Sequence, residues 1–156
     1  MQFDRYDREI LDALQQDARI SNQELAERIS LSPSSCLRRV RALEESGLIV
    51  GYRALLDAKK LGLSLLALIH ISMDRHTPER FDRFEAEIGA IPEVLECLLI
   101  TGQDADYQIK VAVADMDAYQ VLLLNRITRI PGVTGVHSSF VLRRVIDKTA
   151  LPLDKG

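Results

Sequence analysis

Residues 21–53 read SNQELAERISLSPSSCLRRVRALEESGLIVGYR, and this stretch decides how the first third of the chain folds. Ser21 and Glu24, three residues apart, match a capping box and predict the start of a helix. Ser32 followed by Pro33 predicts a second helix start, because proline at the first helical position sacrifices no hydrogen bond. Two short helices joined by a tight turn are typical of a helix-turn-helix unit.

The second predicted helix, which we expect to end at Gly47, has two different faces. Cys36, Val40 and Leu43 recur at helical spacing, and this apolar stripe predicts packing against the preceding helices. The other positions of the helix are small polar or basic residues. We therefore predict that the apolar face of this helix packs in the core and that its polar, basic face is available to a partner.

The basic side of this helix fits the major groove of DNA. From Arg28 to Leu43 the sequence contains four arginines and no acidic residue. Small polar residues at a helix start can reach base edges, and arginines can reach guanine edges or phosphates. The residues that we expect to contact DNA are Ser34, Ser35, Arg38, Arg39 and Arg41. A solvated basic face on a helix that only packs is the alternative.

Flanking patterns complete the first domain. The apolar spacing over 7–16 predicts a helix before the helix-turn-helix pair, and the β-branched stretch 48–53 predicts a short strand or wing. We therefore expect a winged helix-turn-helix DNA-binding domain over 1–53. A linker over 54–64 is expected to follow it.

Composition excludes several classes of protein. With 47% hydrophobic and 28% charged residues, the 156-residue chain is typical of one or two globular domains. It contains no apolar run of about 18 residues and its start does not resemble a signal peptide, so a cytoplasmic location is expected. Cys36 and Cys97 are too few for a disulfide framework and are expected to be buried thiols.

The net charge of −3 argues against nucleic-acid binding until its distribution is considered. Residues 1–60 contain ten basic and ten acidic side chains, whereas residues 61–156 contain ten basic and thirteen acidic ones. A neutral first domain with a basic helix face predicts modest phosphate affinity for each copy. Tight binding would then require two or more copies acting together.

The second half alternates strands and helices. Its hydrophobic pattern predicts strands over 65–73, 94–101, 107–114 and 136–145, and helices over 78–89 and 116–130. This βαββαβ order is the ferredoxin-like arrangement, which we place at 65–146 and which makes the whole chain α+β. A polar tail is expected over 147–156.

The strands also predict self-association. Both helices of a βαββαβ domain cover one face of the sheet, and the strand at 65–73 is apolar on its second face as well. An apolar sheet face is rarely exposed on a monomer, so we expect this face to pack on a second copy. A homodimer would also present two DNA-reading helices to two half-sites.

Nothing in the sequence favours an enzyme. His70, His76 and His137 are scattered without partners at metal-ligand spacing, and we expect surface or packed histidines, no metal and no cofactor. Nucleophile elbows, phosphate-binding loops and dinucleotide fingerprints are absent from the sequence.

The whole chain resembles the Lrp/AsnC, or feast/famine, family of transcriptional regulators. The resemblance lies in Asp7-x-x-Ile10-Leu11 leading into Leu25-Ala26 and Leu31-Ser32; in Arg39-Val40-x-x-Leu43-Glu44-x-x-Gly47-Leu48-Ile49; and in Thr101-Gly102-x-x-Ala105-Asp106-Tyr107, followed by Pro131-Gly132-Val133. It implies an N-terminal DNA-binding domain and a C-terminal domain that binds an amino acid or a related small effector. It also implies homodimers that assemble further, often to octamers.

The resemblance extends to an effector site between neighbouring dimers. On the turn after the second strand it implies Gly102, Gln103, Asp104 and Asp106, and on the last strand Ser138, Ser139 and Phe140, contributed by another subunit. From the residues alone, the favoured role of Asp104 and Asp106 is only to shape a tight turn, which aspartate does well. We expect a sequence-specific transcriptional regulator whose assembly and DNA binding respond to an effector. An effector-independent, DNA-organising architectural protein is the alternative.

Overall fold

The computed structural model describes residues 4–102 and 105–153 of the chain. The chain forms two compact units. The first contains the chain up to Leu55 together with the segment from Ile146 onwards, and the second runs from Leu56 to Val145. The segment at the end of the chain, predicted as a polar tail, thus belongs to the first unit.

Three helices build the first unit: α1 (Arg5–Gln16), α2 (Asn22–Arg28) and α3 (Pro33–Glu45). The predicted capping box of Ser21 and Glu24 is present, and Ser32 caps α3 with Pro33 at its start, as predicted. Helix α1 begins two residues earlier than predicted because Asp4 and Asp7 form a further capping box. The helices enclose a small core of Ile10, Leu11, Ala13, Leu25, Ala26, Ile29, Cys36 and Leu43.

Of the short strand or wing predicted over 48–53, the strand is not formed. No described residue pairs with this stretch in a sheet, and Val50 is 94% exposed. The N–H of Ile49 instead donates to the carbonyl oxygen of Leu43, which closes the end of α3. Apolar β-branched residues favour extended backbone, but a strand forms only where a partner offers backbone hydrogen bonds.

The second unit is the βαββαβ arrangement that the pattern predicts. Its elements are β1 (Leu65–Met73), α4 (Pro78–Gly89), β2 (Val94–Leu99), β3 (Tyr107–Val113), α5 (Met116–Asn125), a 3₁₀ turn (Ile127–Arg129) and β4 (Val133–Phe140). The strands form one antiparallel sheet in the order β2-β3-β1-β4. Thr77 caps α4 by accepting the N–H of Arg80.

Buried apolar side chains alternate with less buried ones along the central strands, β1 and β3, and the buried set forms the core of this unit. Ile69 on β1 lies opposite Ile109 on β3, and both are fully buried. Phe84 of α4 and Leu122 of α5 are buried in the same cluster. Both helices therefore cover the same face of the sheet, as predicted.

The end of this unit differs from the prediction in two places. Helix α5 ends at Asn125, and its expected last turn is a 3₁₀ turn that buries Ile127. Strand β4 runs over Val133–Phe140 rather than 136–145. It pairs with β1, and the last bond runs from the Val141 N–H to the Leu66 carbonyl oxygen, where β1 itself begins.

The uncovered face of the sheet is less apolar than predicted. Leu66 and Leu68 contribute to it, but His70 bonds to Gln108 at 3.1 Å. The Lys110 ammonium lies 3.0 Å from the carboxylate of Glu96 on β2. Packing of this face against a second copy stays a prediction, and such an interface would be of mixed polarity.

Within the described residues, no helix is long and apolar enough to cross a membrane. The same residues contain no cluster of three or more histidine, cysteine or acidic side chains that could hold a metal ion. Cys36 is buried and Cys97 is half-buried, and both are free thiols. Burial, helped by the nearby Glu85 carboxylate, raises the pKa of the Cys97 thiol to about 11. This thiol is thus protonated and unreactive near neutral pH.

Candidate functional site

Helix α3 carries a continuous exposed face that begins at its capped N-terminus. Six residues line a shallow concavity on this face: Ser34, Leu37, Arg38, Arg41, Ala42 and Glu45. They recur at steps of three and four, so they share one side of the helix. Cys36 and Leu43 are buried on the other side. The core therefore fixes which side chains of α3 are available to a partner.

Ser34, Arg38 and Arg41 lie where the sequence predicts a DNA-reading surface. Among the described residues, neither Arg38 nor Arg41 has an ion pair with an acidic side chain. Ser35 differs, because it is half-buried and its backbone N–H donates to the Ser32 cap at 3.3 Å. Ala42 and Glu45 are not among the predicted DNA contacts, although their spacing from Ser34 and Arg38 places them on the same face of the helix.

Arg39, also predicted to contact DNA, faces α1 instead. Its two terminal nitrogens lie 2.7 Å from the Asp7 carboxylate and 2.9 Å from the Asp4 carboxylate. Its guanidinium carbon is 5.4 Å from the centre of the Tyr6 ring, within the range of a cation–π contact. The arginine side chain is only 23% exposed. We call this group the Arg39 clamp and remove Arg39 from the predicted DNA contacts.

Contacts within the Arg39 clamp shift the pKa values of two of its side chains, Asp4 and Arg39. The pKa of the Asp4 carboxyl is lowered, first by the hydrogen bond from the Asp7 backbone N–H and then by Arg39. The pKa of the Arg39 guanidinium is raised, chiefly by its hydrogen bond to Asp7. The Asp4 carboxylate and the Arg39 guanidinium are therefore charged near neutral pH. The clamp ties α3 to the first turn of α1.

The turn between β2 and β3 holds the first group of predicted effector residues. Gly102 is exposed, and a side chain there would meet open space. Gln103 and Asp104 lie outside the described residues. The Asp106 carboxylate accepts the Met73 backbone N–H at 2.7 Å and lies 2.7 Å from Nε2 of His76. The Asp106 carboxylate therefore holds the start of β3 against the end of β1 through hydrogen bonds within the chain.

The predicted effector residues of β4 point to opposite faces of the sheet. Ser138 and Phe140 face the helices, where Ser138 hydrogen-bonds the Tyr119 hydroxyl and the Phe140 ring meets the Tyr119 ring edge-on at 5.0 Å. Ser139 lies between them and opposite Leu68, so it faces the uncovered side. Only Ser138 and Phe140 therefore share a surface, and Tyr119 joins them.

The turn and Phe140 lie apart within one chain. The Asp106 N–H donates to the Ile71 carbonyl oxygen, which places the turn near the end of β1. Phe140 pairs with Ala67, four residues earlier on β1 and thus about 13 Å away along the strand. Strand β4 also lies on the opposite side of β1 from β3. Within one chain, Phe140 therefore lies away from Asp106.

Sequence profiles of known families match both parts of the chain. A winged helix-turn-helix DNA-binding profile matches residues 3–50, and the Lrp/AsnC ligand binding domain profile matches residues 66–151. The chain belongs to the Lrp/AsnC family of transcriptional regulators. The predicted fold class, with a helix-turn-helix domain before a βαββαβ domain, is thereby confirmed.

Individual Lrp/AsnC relatives agree with the profiles over nearly the full chain. The leucine-responsive regulatory protein of Salmonella typhimurium is 46% identical over 143 residues, which cover 92% of this chain and 87% of the relative. A transcriptional regulator of Neisseria meningitidis, solved with L-methionine, superposes with a TM-score of 0.94 at 38% identity and 98% coverage of both chains. A feast or famine regulatory protein of Mycobacterium tuberculosis, complexed with L-methionine, has a TM-score of 0.84 at 31% identity, covering 95% of this chain and 97% of that one.

Membership of the Lrp/AsnC family fixes the broad function. The chain is a DNA-binding transcriptional regulator with a ligand-binding domain and not an enzyme. Its histidines fit this role: His70 bonds to Gln108 across the sheet and His76 bonds to Asp106. His137 lies exposed on β4 opposite His70.

Proposed function

We propose that this regulator reads a specific DNA sequence with the exposed face of α3, using Ser34, Arg38 and Arg41 together with Leu37. The observation that carries the proposal is the separation of faces on α3, with Cys36 buried and the arginines directed away from the core. Serine and arginine can donate to base edges and phosphates, while a leucine can contact a thymine methyl group. Ser35 and Arg39 have no part in this proposed surface.

The reading surface implies a recognisable operator. We propose that two copies bind together, as a homodimer that assembles further towards an octamer in the cytoplasm. The two α3 helices would then enter successive major grooves on one side of the duplex. Selection from random duplex DNA with the purified protein tests this. The expected result is a two-fold symmetric sequence with half-sites about 10 base pairs apart, and selection of no common sequence would favour the architectural, DNA-organising alternative.

We further propose that the effector is an amino acid with an apolar side chain of the size of leucine or methionine. Two related structures contain L-methionine, and a close relative is named for its response to leucine. The turn at Gly102 and the Ser138–Phe140 surface lie apart in one chain, so we place the effector between chains. Gln103, Asp104 and Ser139 remain candidates for contacts from the second chain.

A thermal-shift screen of the intact protein against the twenty amino acids tests the effector. At about ten times its dissociation constant, a ligand that binds only the folded state stabilises it by about 1.4 kcal/mol. We expect L-leucine or L-methionine to raise the melting temperature by a few degrees and to change the mass measured by light scattering. D-Leucine is the matched control, since its apolar side chain is the same but its geometry is inverted. A screen without any shift would leave DNA binding independent of amino acids.

The role of Asp106 can be separated from its role in the turn. In Asp106→Asn the amide oxygen can still accept the Met73 N–H, but the negative charge is gone. If Asp106 binds the ammonium group of the effector, amino-acid affinity falls about tenfold, in line with the loss of one charge-assisted hydrogen bond. Isothermal titration calorimetry measures this. His76→Ala is the control, because it frees the carboxylate and should not weaken binding. Unchanged affinity in Asp106→Asn would leave the aspartate with the turn alone.

A further inference from the structure

The segment after β4 returns to the first unit and is held there by α1. The Gln15 side chain donates through Nε2 to the Leu151 carbonyl oxygen at 3.1 Å. Its Oε1 accepts the Leu151 N–H at 2.6 Å. One carboxamide thus bonds both backbone groups of one residue, as a neighbouring strand would do in a sheet.

A second contact anchors the same segment two residues further on. Leu153 is partly buried and packs against the helix core of the first unit, which includes Ile10 and Leu11. The residues between β4 and this anchor are different, since Leu142 is 99% and Val145 is 80% exposed. Residues 151–153 therefore attach the segment to the first unit.

We propose that the flank of α1 around Gln15 is a docking site for an extended peptide, and that its occupant is the C-terminal segment of this chain around Leu151–Leu153. We infer that the docked segment stabilises the DNA-binding unit. The ligand binding domain profile extends to residue 151, so the structure assigns the last residues of that region to the other unit. The effect of this docking on DNA binding rests on the proposed function, whereas the docking itself does not.

Helix α1 is the element through which docking would affect DNA reading. Its first turn holds α3 through the Arg39 clamp, and Gln15 lies in its last turn. The docked segment therefore supports one end of a helix whose other end orients the reading helix. At residues 151–153 the attachment consists of two solvent-exposed hydrogen bonds and one partly buried leucine, and such contacts can open without unfolding the unit.

Hydrogen exchange of the full-length protein tests the docking. In Gln15→Leu both hydrogen bonds are lost while the size of the side chain is nearly kept. We expect the backbone amide of Leu151 to exchange about tenfold faster, since protection of this amide depends on that one acceptor. Leu151→Ala is the matched control, because the side chain is 72% exposed and both backbone groups remain. Unchanged exchange in Gln15→Leu, or equally fast exchange in the control, would overturn the docking site.

Operator binding by the same variants tests whether docking supports DNA reading. With the duplex selected by the wild-type protein, we expect Gln15→Leu to bind about threefold more weakly and Leu151→Ala to bind normally. Leu153→Ser removes the other anchor without changing α1. A similar loss of operator affinity in this variant would show that the effect of Gln15→Leu does not come from a local defect of α1. Equal affinity for all proteins would overturn this role of the segment. Failure of the wild-type protein to bind any duplex would instead refute the proposed DNA reading and leave the exchange result standing.

Discussion

Arg38→Ala is expected to lower operator affinity by about 1–3 kcal/mol for each half-site and to relax sequence preference at one base pair. Arg38 lies in the middle of the exposed face of α3, between Ser34 and Arg41. Its guanidinium can reach N7 and O6 of a guanine with two parallel hydrogen bonds. Because a dimer places two copies of Arg38 on the operator, the loss occurs twice. Titration of a labelled operator and of its single-base variants measures affinity and preference together.

Two control variants, Arg38→Lys and Arg83→Ala, separate a lost base contact from a lost positive charge. Arg38→Lys keeps the charge but loses the planar, two-pronged donor, so it should retain phosphate affinity and lose base preference. Arg83→Ala on α4 removes the same charge from the ligand-binding unit, where Arg83 pairs with Glu87 at 3.2 Å, and should leave affinity unchanged. An Arg38→Ala protein that binds the operator as well as the wild type would remove Arg38 from the reading surface.

Local rules explain why so much of the architecture was predictable. Capping residues act on neighbouring backbone groups, so Ser21, Ser32 and Thr77 mark helix starts without reference to the rest of the fold. The two-residue period of β3 likewise identifies its buried face from Ile109 and Val111. Interactions that span only a few residues are visible in the sequence itself.

Strand ends depended on distant partners and were predicted less well. Strand β4 stops at Phe140 because β1, its neighbour, begins at Leu65. Among the described residues, no strand lies beside the apolar residues of 48–53. A sequence pattern gives the preference of a stretch for extended backbone, whereas the partner decides where hydrogen bonding ends.

The candidate sites show the same division. Arg38 and Arg39 are neighbours in the sequence, yet one is exposed and the other is bound by two aspartates of α1. Composition counts both as basic and cannot tell which one faces an acid from another helix. Ser138 and Ser139 are a different case, since the period of a strand already places neighbours on opposite faces. Applying that period would have separated them before the structure did.

Arg39→Ala is expected to weaken the protein through its fold rather than through a lost DNA contact. The substitution leaves two carboxylates, Asp4 and Asp7, side by side without their cation. The arginine is 23% and Asp7 is 13% exposed, so water screens the interaction only in part. We expect the free energy of unfolding to fall by about 2 kcal/mol, in the range for charged hydrogen bonds of partly buried groups. Urea denaturation of the intact protein measures this loss.

Salt dependence of operator binding distinguishes the Arg39 clamp from a phosphate contact. Each neutralised phosphate contributes about 0.9 to the slope of log affinity against log salt concentration. Arg41→Ala, on the exposed face, should reduce that slope by about one per half-site if Arg41 contacts a phosphate. Arg39→Ala, measured where the variant is folded, should reduce affinity and keep the slope, because its charge neutralises aspartates in the free protein as well. A smaller slope in Arg39→Ala at unchanged stability would instead place this arginine on the DNA.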